Sequence, residues 1–188
     1  MPLGYIEKKL LYRVTVEKDP EAFGLLYDNY INKIYRFVYF KVSNKEDAED
    51  LTSEVFLKTW NYLTQTGRSE IKSFSGLVYK IARNALIDHY RKLGSKQEIP
   101  LDIALEVADQ VDRYRQIDTH HEAEKILSVL KKMKREYQEV LLLRYIEELS
   151  VAEIAIILEK GQVAVRVTLH RAIKVAKNLI NKDKEPSL

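Results

Sequence analysis

The chain has 188 residues, of which 46% are hydrophobic and 31% are charged, enough for one medium or two small packed domains. With 6 glycines and 4 prolines a helix-rich protein is predicted, and the absence of cysteine excludes disulfides and thiolate metal sites. The net charge of +3 is small, and no apolar run is long enough to cross a bilayer, so we expect a cytoplasmic protein without signal peptide or membrane insertion.

The first half of the chain is predicted to form three helices after an extension, residues 1–18, that holds roughly one or two helical turns. Asp19 is a good N-cap and is followed by proline, the preferred residue of a first helical turn. Ser43 or Asn44 caps the second helix. The helices are predicted at about residues 20–42, 45–63 and 74–93, with a polar loop at 64–70 and an end at Gly94.

The second predicted helix is acidic. Asp50 and Glu54 share a face at a spacing of four residues, and Lys58 continues that face, which is typical of surface charge rather than of acid–base catalysis. Phe56 and Trp60 are expected to be exposed beside these acids, so the helix is predicted to dock on a basic partner.

A catalytic site is not recognisable in the sequence. The acidic helix has no nearby nucleophile and the chain has no Gly-rich phosphate loop. His120 and His121 are adjacent and cannot share a helical face, so they make a poor metal site. We therefore expect no enzyme activity, no metal and no cofactor.

The third predicted helix combines cations with aromatic rings. Its inward positions are predicted to be Leu77, Ile81, Ala85 and Ile87. Two interpretations remain open for its rings, Phe74, Tyr79 and Tyr90: they stack on unpaired bases, or they pack in the core. The hydrogen-bonding and charged side chains of this helix are Lys80, Arg83, Asn84, His89, Arg91 and Lys92.

Charge alternates in blocks along the chain. Basic residues 72–96 and a basic C-terminal helix flank a mainly acidic stretch, 98–124. This favours two nucleic-acid-facing modules on a tether, although each block alone also suits an ordinary solvated helix face. Helices are predicted again at 122–133 and 136–145.

A short helix, a turn and a long helix are predicted from residue 150 onward. Ser150 and Glu153 have capping-box spacing, Ile154 and Ile157 supply an inward face, and residues 159–161 break the pattern. The inward stripe of the long helix is Val165, Leu169, Ala172, Ile173 and Ala176.

The long C-terminal helix has one sign of charge, because no acidic residue occurs between positions 160 and 182. Apolar residues alternate strictly from Val163 to Leu169, which is a strand pattern, but the helical period continues to Ala176 and we predict helix. A helix pair of this kind suits insertion into the major groove, the alternative being a simple αα-hairpin in a bundle.

Three motifs together resemble a bacterial RNA polymerase sigma factor of the small extracytoplasmic-function (ECF) type. They are DAEDLTSEVFLKTW, FSGLVYKIARNALIDHYRK, and VLLLRYIEELSVAEIAIIL followed by LHRA. The resemblance covers about residues 19–95 and 122–180 and implies an all-α protein of two small helical domains, the second a helix-turn-helix. It implies a factor that directs core polymerase to promoters and initiates transcription.

The resemblance also assigns roles to residues. It implies polymerase binding, to the clamp coiled coil of the largest subunit, by Asp47, Asp50, Glu54, Phe56 and Trp60. It implies −10 DNA binding by Lys80, Arg83, Asn84, Asp88 and Arg91. It implies −35 DNA binding by Gln162, Arg166, Thr168, His170, Arg171 and Lys174.

The resemblance further implies contact with the polymerase flap, promoter DNA as a partner, a base-capturing loop at 64–73, and an anti-sigma factor as an additional partner. Linker acids Asp102, Glu106 and Asp109 would occupy phosphate sites of the polymerase. The chain departs from the family where glycine is usual and Glu159 stands, and where a small residue is usual and Val163 stands. Val163 and Val167 suit thymine methyls or a packing neighbour.

The predicted organisation is an N-terminal extension (1–18), a core-polymerase and −10 domain (19–95), an acidic linker (96–121), a −35 domain (122–182) and a tail (183–188). Two other functions remain open. One is a helix-turn-helix regulator that acts as a dimer without polymerase docking. The other is a helical interaction protein with no DNA role.

Overall fold

The computed structural model of the protein describes residues 3–39, 41–42, 44–65, 71, 73–94 and 128–182. All regular structure within these ranges is helical, which confirms the predicted all-α class. The chain divides into two compact units, Met1–Pro100 and Leu101–Leu188. The predicted linker with its three acids, the His120–His121 pair, the tail and loop residues 66–70 lie outside the described residues.

The described residues of the first unit form four helices. They are α1 (Leu3–Tyr12, continued by a π-helical turn, Arg13–Glu17), α2 (Pro20–Tyr39), α3 (Lys45–Thr64) and α4 (Phe74–Lys92). Helix α3 packs against both α2 and α4, so it lies at the centre of the unit. Asn44 is the residue that caps α3, accepting the Asp47 N–H at 2.7 Å.

The N-terminal extension is more ordered than the sequence analysis expected. Helix runs from residue 3 to residue 17, and Leu10, Leu11 and Val14 are buried. The prediction of one or two turns was wrong because these three side chains share one face, and packing against α2 stabilises a helix that is short of strong local signals.

Asp19 caps α2, as predicted. Its Oδ1 accepts the N–H groups of Glu21 and Ala22 at 2.9 and 3.3 Å, and its carboxylate pairs with Arg13. Burial acts to raise the pKa of Asp19, but these hydrogen bonds and the guanidinium outweigh burial and leave the pKa below its ordinary value. The cap therefore stabilises the fold above the ordinary carboxyl pKa and loses this contribution as the pH falls through the lowered value.

The buried face of α4 differs from the predicted one. Leu77 and Ala85 are buried as expected, but Ile81 and Ile87 are only half-buried. The centre of the face is formed by Val78, Ala82 and Leu86. The prediction followed one helical repeat of apolar residues, whereas contact with two other helices places the centre of the buried stripe about one residue further along the turn.

The aromatic rings of α4 belong to the core. Phe74, Tyr79 and Tyr90 are all buried, so the interpretation that they stack on bases was wrong and the packing alternative holds. Phe37 of α2 meets Tyr79 edge-to-face at 5.1 Å, and the Tyr90 hydroxyl donates to the Lys41 carbonyl.

The described residues of the second unit also form helices. They are residues 128–131, α5 (Arg135–Leu141, continued by a π-helical turn, Leu142–Ile146), α6 (Val151–Leu158) and α7 (Gln162–Lys182). Buried Gln138 links the first two, because its Nε2 donates to the carbonyls of Leu130 and Met133 at 2.6 and 3.0 Å.

The predicted helix-turn-helix is present. Ser150 and Glu153 form both hydrogen bonds of a capping box at the start of α6. Ile154, Ile157 and Val165 are buried between α6 and α7, so the alternating valines lie in a helix, as predicted. Helix α6 ends at Glu159, which has a left-handed backbone with φ 53°.

Glu159→Gly is expected to raise the free energy of unfolding of the second unit by about 1 kcal/mol. A residue with a Cβ is strained in the left-handed region and glycine is not. Denaturant unfolding of the whole chain, followed by circular dichroism, measures the change. Glu147→Gly is the control, because Glu147 has φ −89° and glycine there should destabilise. Equal effects of the two substitutions would contradict the expectation.

Candidate nucleic-acid and protein interfaces

The outward face of α3 carries acids around one apolar side chain. Asp50 and Leu57 are exposed, the latter at 61%, and Glu54 is half-buried. Glu54 pairs within the helix with Lys58 at 2.6 Å. Since 3.6 residues make one turn, Asp50, Glu54 and Leu57 lie on the same side. We call these three residues the α3 outer face.

Phe56 and Trp60, predicted to be exposed on this helix, point elsewhere. Phe56 is only 4% exposed, and its ring meets Tyr27 at 4.7 Å. Trp60 is half-buried against Phe23 at 5.1 Å. The expectation of two exposed rings was therefore wrong, because α2 covers both. Leu57 was missed, although its spacing of three residues from Glu54 places it with the acids.

Phe56→Ala and Leu57→Ala are expected to act on different properties. The first should lower the free energy of unfolding by about 3 kcal/mol, since it leaves a cavity beside Tyr27. The second should change it by less than about 0.5 kcal/mol, since the side chain is exposed. Chemical denaturation checks both values. A similar loss for the two variants would contradict the assigned burial.

A groove of about 440 Å³ lies between α3 and α4. Asp47, Asp50 and Glu54 line one side. Asp88 and Arg91 line the other, together with His89. The structure thus brings three residues predicted for polymerase binding close to two predicted for −10 DNA.

Asp47 connects the two sides of the groove. Its Oδ2 accepts a hydrogen bond from the Asn44 side-chain amide at 2.9 Å and lies 3.7 Å from Nε2 of His89. It is therefore held at the cap of α3, whereas Asp50 and Glu54 extend further along the helix. Across the groove, Arg91 pairs with Asp88 at 3.3 Å within α4.

Helix α4 presents a polar face outside the core. Asn84, Asp88 and Arg91 are exposed, and Lys80 is half-buried on the same side, since the four residues follow helical spacing. Arg83 is half-buried and lies to one side of this line. With the rings in the core, hydrogen bonds and charge are the means by which this face can contact DNA.

Helix α7 is divided into a buried and a cationic face. Val165, Leu169 and Ala172 are buried as predicted, whereas Ile173 and Ala176, predicted to share this stripe, are only half-buried. The opposite side exposes Val163, Arg166, Val167, His170, Arg171 and Lys174. We call these six residues the α7 outer face.

Two predicted −35 residues lie away from the centre of the α7 outer face. Gln162 is exposed in the first turn, which suits contact with a base edge or a phosphate. Thr168 is half-buried, and its hydroxyl donates to the Ala164 carbonyl at 2.9 Å. The Thr168 hydroxyl is therefore bound to the backbone of its own helix, and Thr168 is not part of the α7 outer face that contains His170.

The valines of the α7 outer face are exposed to solvent. Val163 is 71% exposed and Val167 is 44% exposed. Of the two alternatives for these residues, this exposure favours contact with thymine methyls over packing against a neighbour, most clearly for Val163. Exposed apolar groups between cations are the groups that contact thymine methyls in a major groove.

None of the helices within the described residues has the length and apolar character needed to cross a membrane. In the same part of the chain, histidine, aspartate and glutamate side chains form no group suited to holding a metal ion.

Two family models match the chain: Sigma-70 region 2 at residues 26–96 and Sigma-70, region 4 at residues 123–174. ECF RNA polymerase sigma factor SigX of Bacillus subtilis is 32% identical over 161 residues, which cover 82% of this chain and 81% of SigX. ECF RNA polymerase sigma factor BldN of Streptomyces coelicolor is 31% identical, covering 88% of this chain and 62% of BldN's length.

Among solved structures, CnrH in complex with the cytosolic domain of CnrY has a similar fold, with a TM-score of 0.61 and 18% identity. The similarity covers 96% of this chain and 97% of that one. One matched region lies within each of the two helical units described above. The chain therefore belongs to the ECF family of RNA polymerase sigma factors.

Proposed function

We propose that this sigma factor directs core RNA polymerase to promoters through three surfaces on two units. The observation that carries the proposal is the separation of charge: an acidic and apolar α3 outer face in the region 2 match, and an α7 outer face with cations and no acids in the region 4 match. Opposite charges on different units suit two different partners, a basic protein surface and DNA.

Polymerase docking is assigned to α3. Asp50 and Glu54 supply the charge and Leu57 the apolar contact, with Asp47 at the adjoining helix start. The proposed partner is the clamp coiled coil of the largest subunit. Phe56 and Trp60 contribute indirectly to docking, because their rings pack on α2 and so position α3.

Contact with the −10 element is assigned to α4 and the loop before it. Asn84, Asp88 and Arg91 supply hydrogen bonds and charge on the exposed side, with Lys80 and Arg83 at its margin. The rings of α4 are buried and cannot stack on an unpaired base. Capture of a flipped base is therefore assigned to the polar loop at 64–73.

Contact with the −35 element is assigned to α7. Arg166, His170 and Lys174 lie one turn apart and follow the major groove, while Arg171 lies toward the phosphates. Gln162 and Thr168 complete the predicted set. The second unit is also proposed to contact the polymerase flap, and an anti-sigma factor is proposed as a regulatory partner.

Thymine methyls opposite Val163 and Val167 provide a sharp test of the α7 assignment. Replacing single thymines by uracil within the preferred −35 site is expected to weaken holoenzyme binding roughly threefold to tenfold at one or two positions. Val163→Ala should remove the effect at its own position. Binding is measured by fluorescence anisotropy. If no uracil substitution changes the affinity, these valines do not contact methyl groups.

The overall proposal is tested by run-off transcription with purified core polymerase and a promoter library. Selective start sites that depend on the added chain are the expected result, and placement of the protein in the cytoplasm follows from that activity. Absence of selective RNA on any template overturns the proposal. Palindromic sites bound by a dimer without polymerase would favour the helix-turn-helix regulator instead.

A further inference from the structure

Three helices of the first unit meet at the carboxylate of Glu7. Its Oε2 accepts a hydrogen bond from the hydroxyl of Tyr30 in α2, with 2.6 Å between the two oxygens. Its Oε1 accepts the backbone N–H of Phe74, the first residue of α4, at 3.2 Å. These contacts join residues 23 and 67 positions apart, so one side chain ties α1 to both α2 and the start of α4.

The N–H of Phe74 is a group that a helix cannot satisfy by itself. The first N–H groups of every helix lack intrahelical acceptors. Ser73, the N-cap of α4, accepts the N–H of Gly76 at 3.2 Å and leaves that of Phe74 to a distant carboxylate. A negative charge at this end is also favoured by the helix dipole.

Aromatic rings pack around the rest of the junction. The Phe74 ring is buried and lies 5.1 Å from the Tyr30 ring and 6.5 Å from that of Phe23. Because both the ring and the backbone N–H of Phe74 make tertiary contacts, the first residue of α4 has a defined position. Without Glu7 the partly buried N–H loses its acceptor, which favours fraying or displacement of the first turn.

We propose that Glu7 is a positioning residue for promoter opening: it fixes where α4 begins, and with it the placement of the exposed polar side chains of α4. This inference rests on the proposed −10 role of α4. Glu7 lies outside residues 26–96, the segment that matches Sigma-70 region 2. Helix α1, although it lies outside the matched segment, therefore contributes to the −10 function proposed for α4.

The test uses holoenzyme assembled from the full chain and core polymerase. Promoter opening is followed by a fluorescent adenine analogue in the −10 element, and core affinity and thermal unfolding are measured separately. Glu7→Ala is expected to reduce opening roughly tenfold while core affinity changes less than about twofold. Glu7→Gln retains an acceptor oxygen and should restore most of the opening.

Glu17→Ala is the matched control. It removes the same charge from the exposed end of the same helical segment and should leave opening unchanged. Tyr30→Phe, which removes only the hydroxyl, should give an intermediate loss, and it keeps the test valid if Glu7→Ala unfolds.

Two results would overturn the inference. One is opening by the Glu7 variants equal to that of Glu17→Ala. The other is a parallel loss of opening and core affinity, which indicates a general structural role. If the unsubstituted holoenzyme opens no promoter, the proposed function itself fails, a result distinguishable from either of these.

Discussion

Alanine in place of both Arg166 and Arg171 is expected to lower the affinity of the holoenzyme for a −35 duplex about a thousandfold. Both side chains are exposed on a helix that has no acidic residue. No carboxylate of α7 therefore neutralises either arginine, and each substitution removes a full positive charge from the DNA-binding face. If a substituted arginine contacts a phosphate, its loss should also reduce the slope of log affinity against log salt concentration by about 1. Anisotropy titrations at several salt concentrations measure both quantities.

Lys134→Ala is the control for this pair. It removes a cation from the same unit, at the exposed N-cap of α5, and Lys134 is not a member of the α7 outer face. It should leave specific −35 binding within about twofold. Retention of promoter-specific transcription by the double variant would argue against DNA contact by α7 and favour a helical interaction protein.

Reversing the charge of Asp50 and Glu54 to lysine is expected to weaken binding of core polymerase about a thousandfold. Like charges placed opposite each other at an interface cost several kcal/mol, and a basic partner surface would face two new cations. The fold should survive, since Asp50 is exposed and the one ion pair lost, that with Lys58, lies within the helix. Competition against a labelled sigma factor measures the affinity.

Glu49→Lys is the matched control for the charge reversal. Glu49 is exposed on the same helix and pairs with Lys45 at 3.5 Å, but it lies on a different side from the α3 outer face. It should retain most of the core affinity. Unchanged core binding by the double lysine variant would remove α3 from the polymerase interface.

Local signals predicted those parts of the structure that local chemistry determines. The cap at Asp19, the capping box of Ser150 and Glu153, and the break at Glu159 are all present because each depends on residues within one turn. The predicted inward stripe of α7 was correct for Val165, Leu169 and Ala172, which are buried, but not for Ile173 and Ala176, which are half-buried further along the helix.

Errors arose where tertiary packing decides the outcome. Phe56 and Tyr79 are compatible in sequence with either a surface or a core, and only the position of α2 selects the core. The length of α1 likewise depends on α2. Glu7 could not be found from sequence, because its acceptor role depends on a helix 67 positions away. The roles assigned to the exposed polar residues remain predictions.

The outer faces of α3 and α4 rest on one shared set of buried side chains, among them Val55, Ala82 and Leu86. This has a genetic consequence. Alleles that change the shared interior should abolish polymerase attachment and strand opening together and should be rescued together at low temperature. Alleles that separate the two activities should map to solvent-facing positions, so the distribution of phenotypes in a random screen would outline both surfaces.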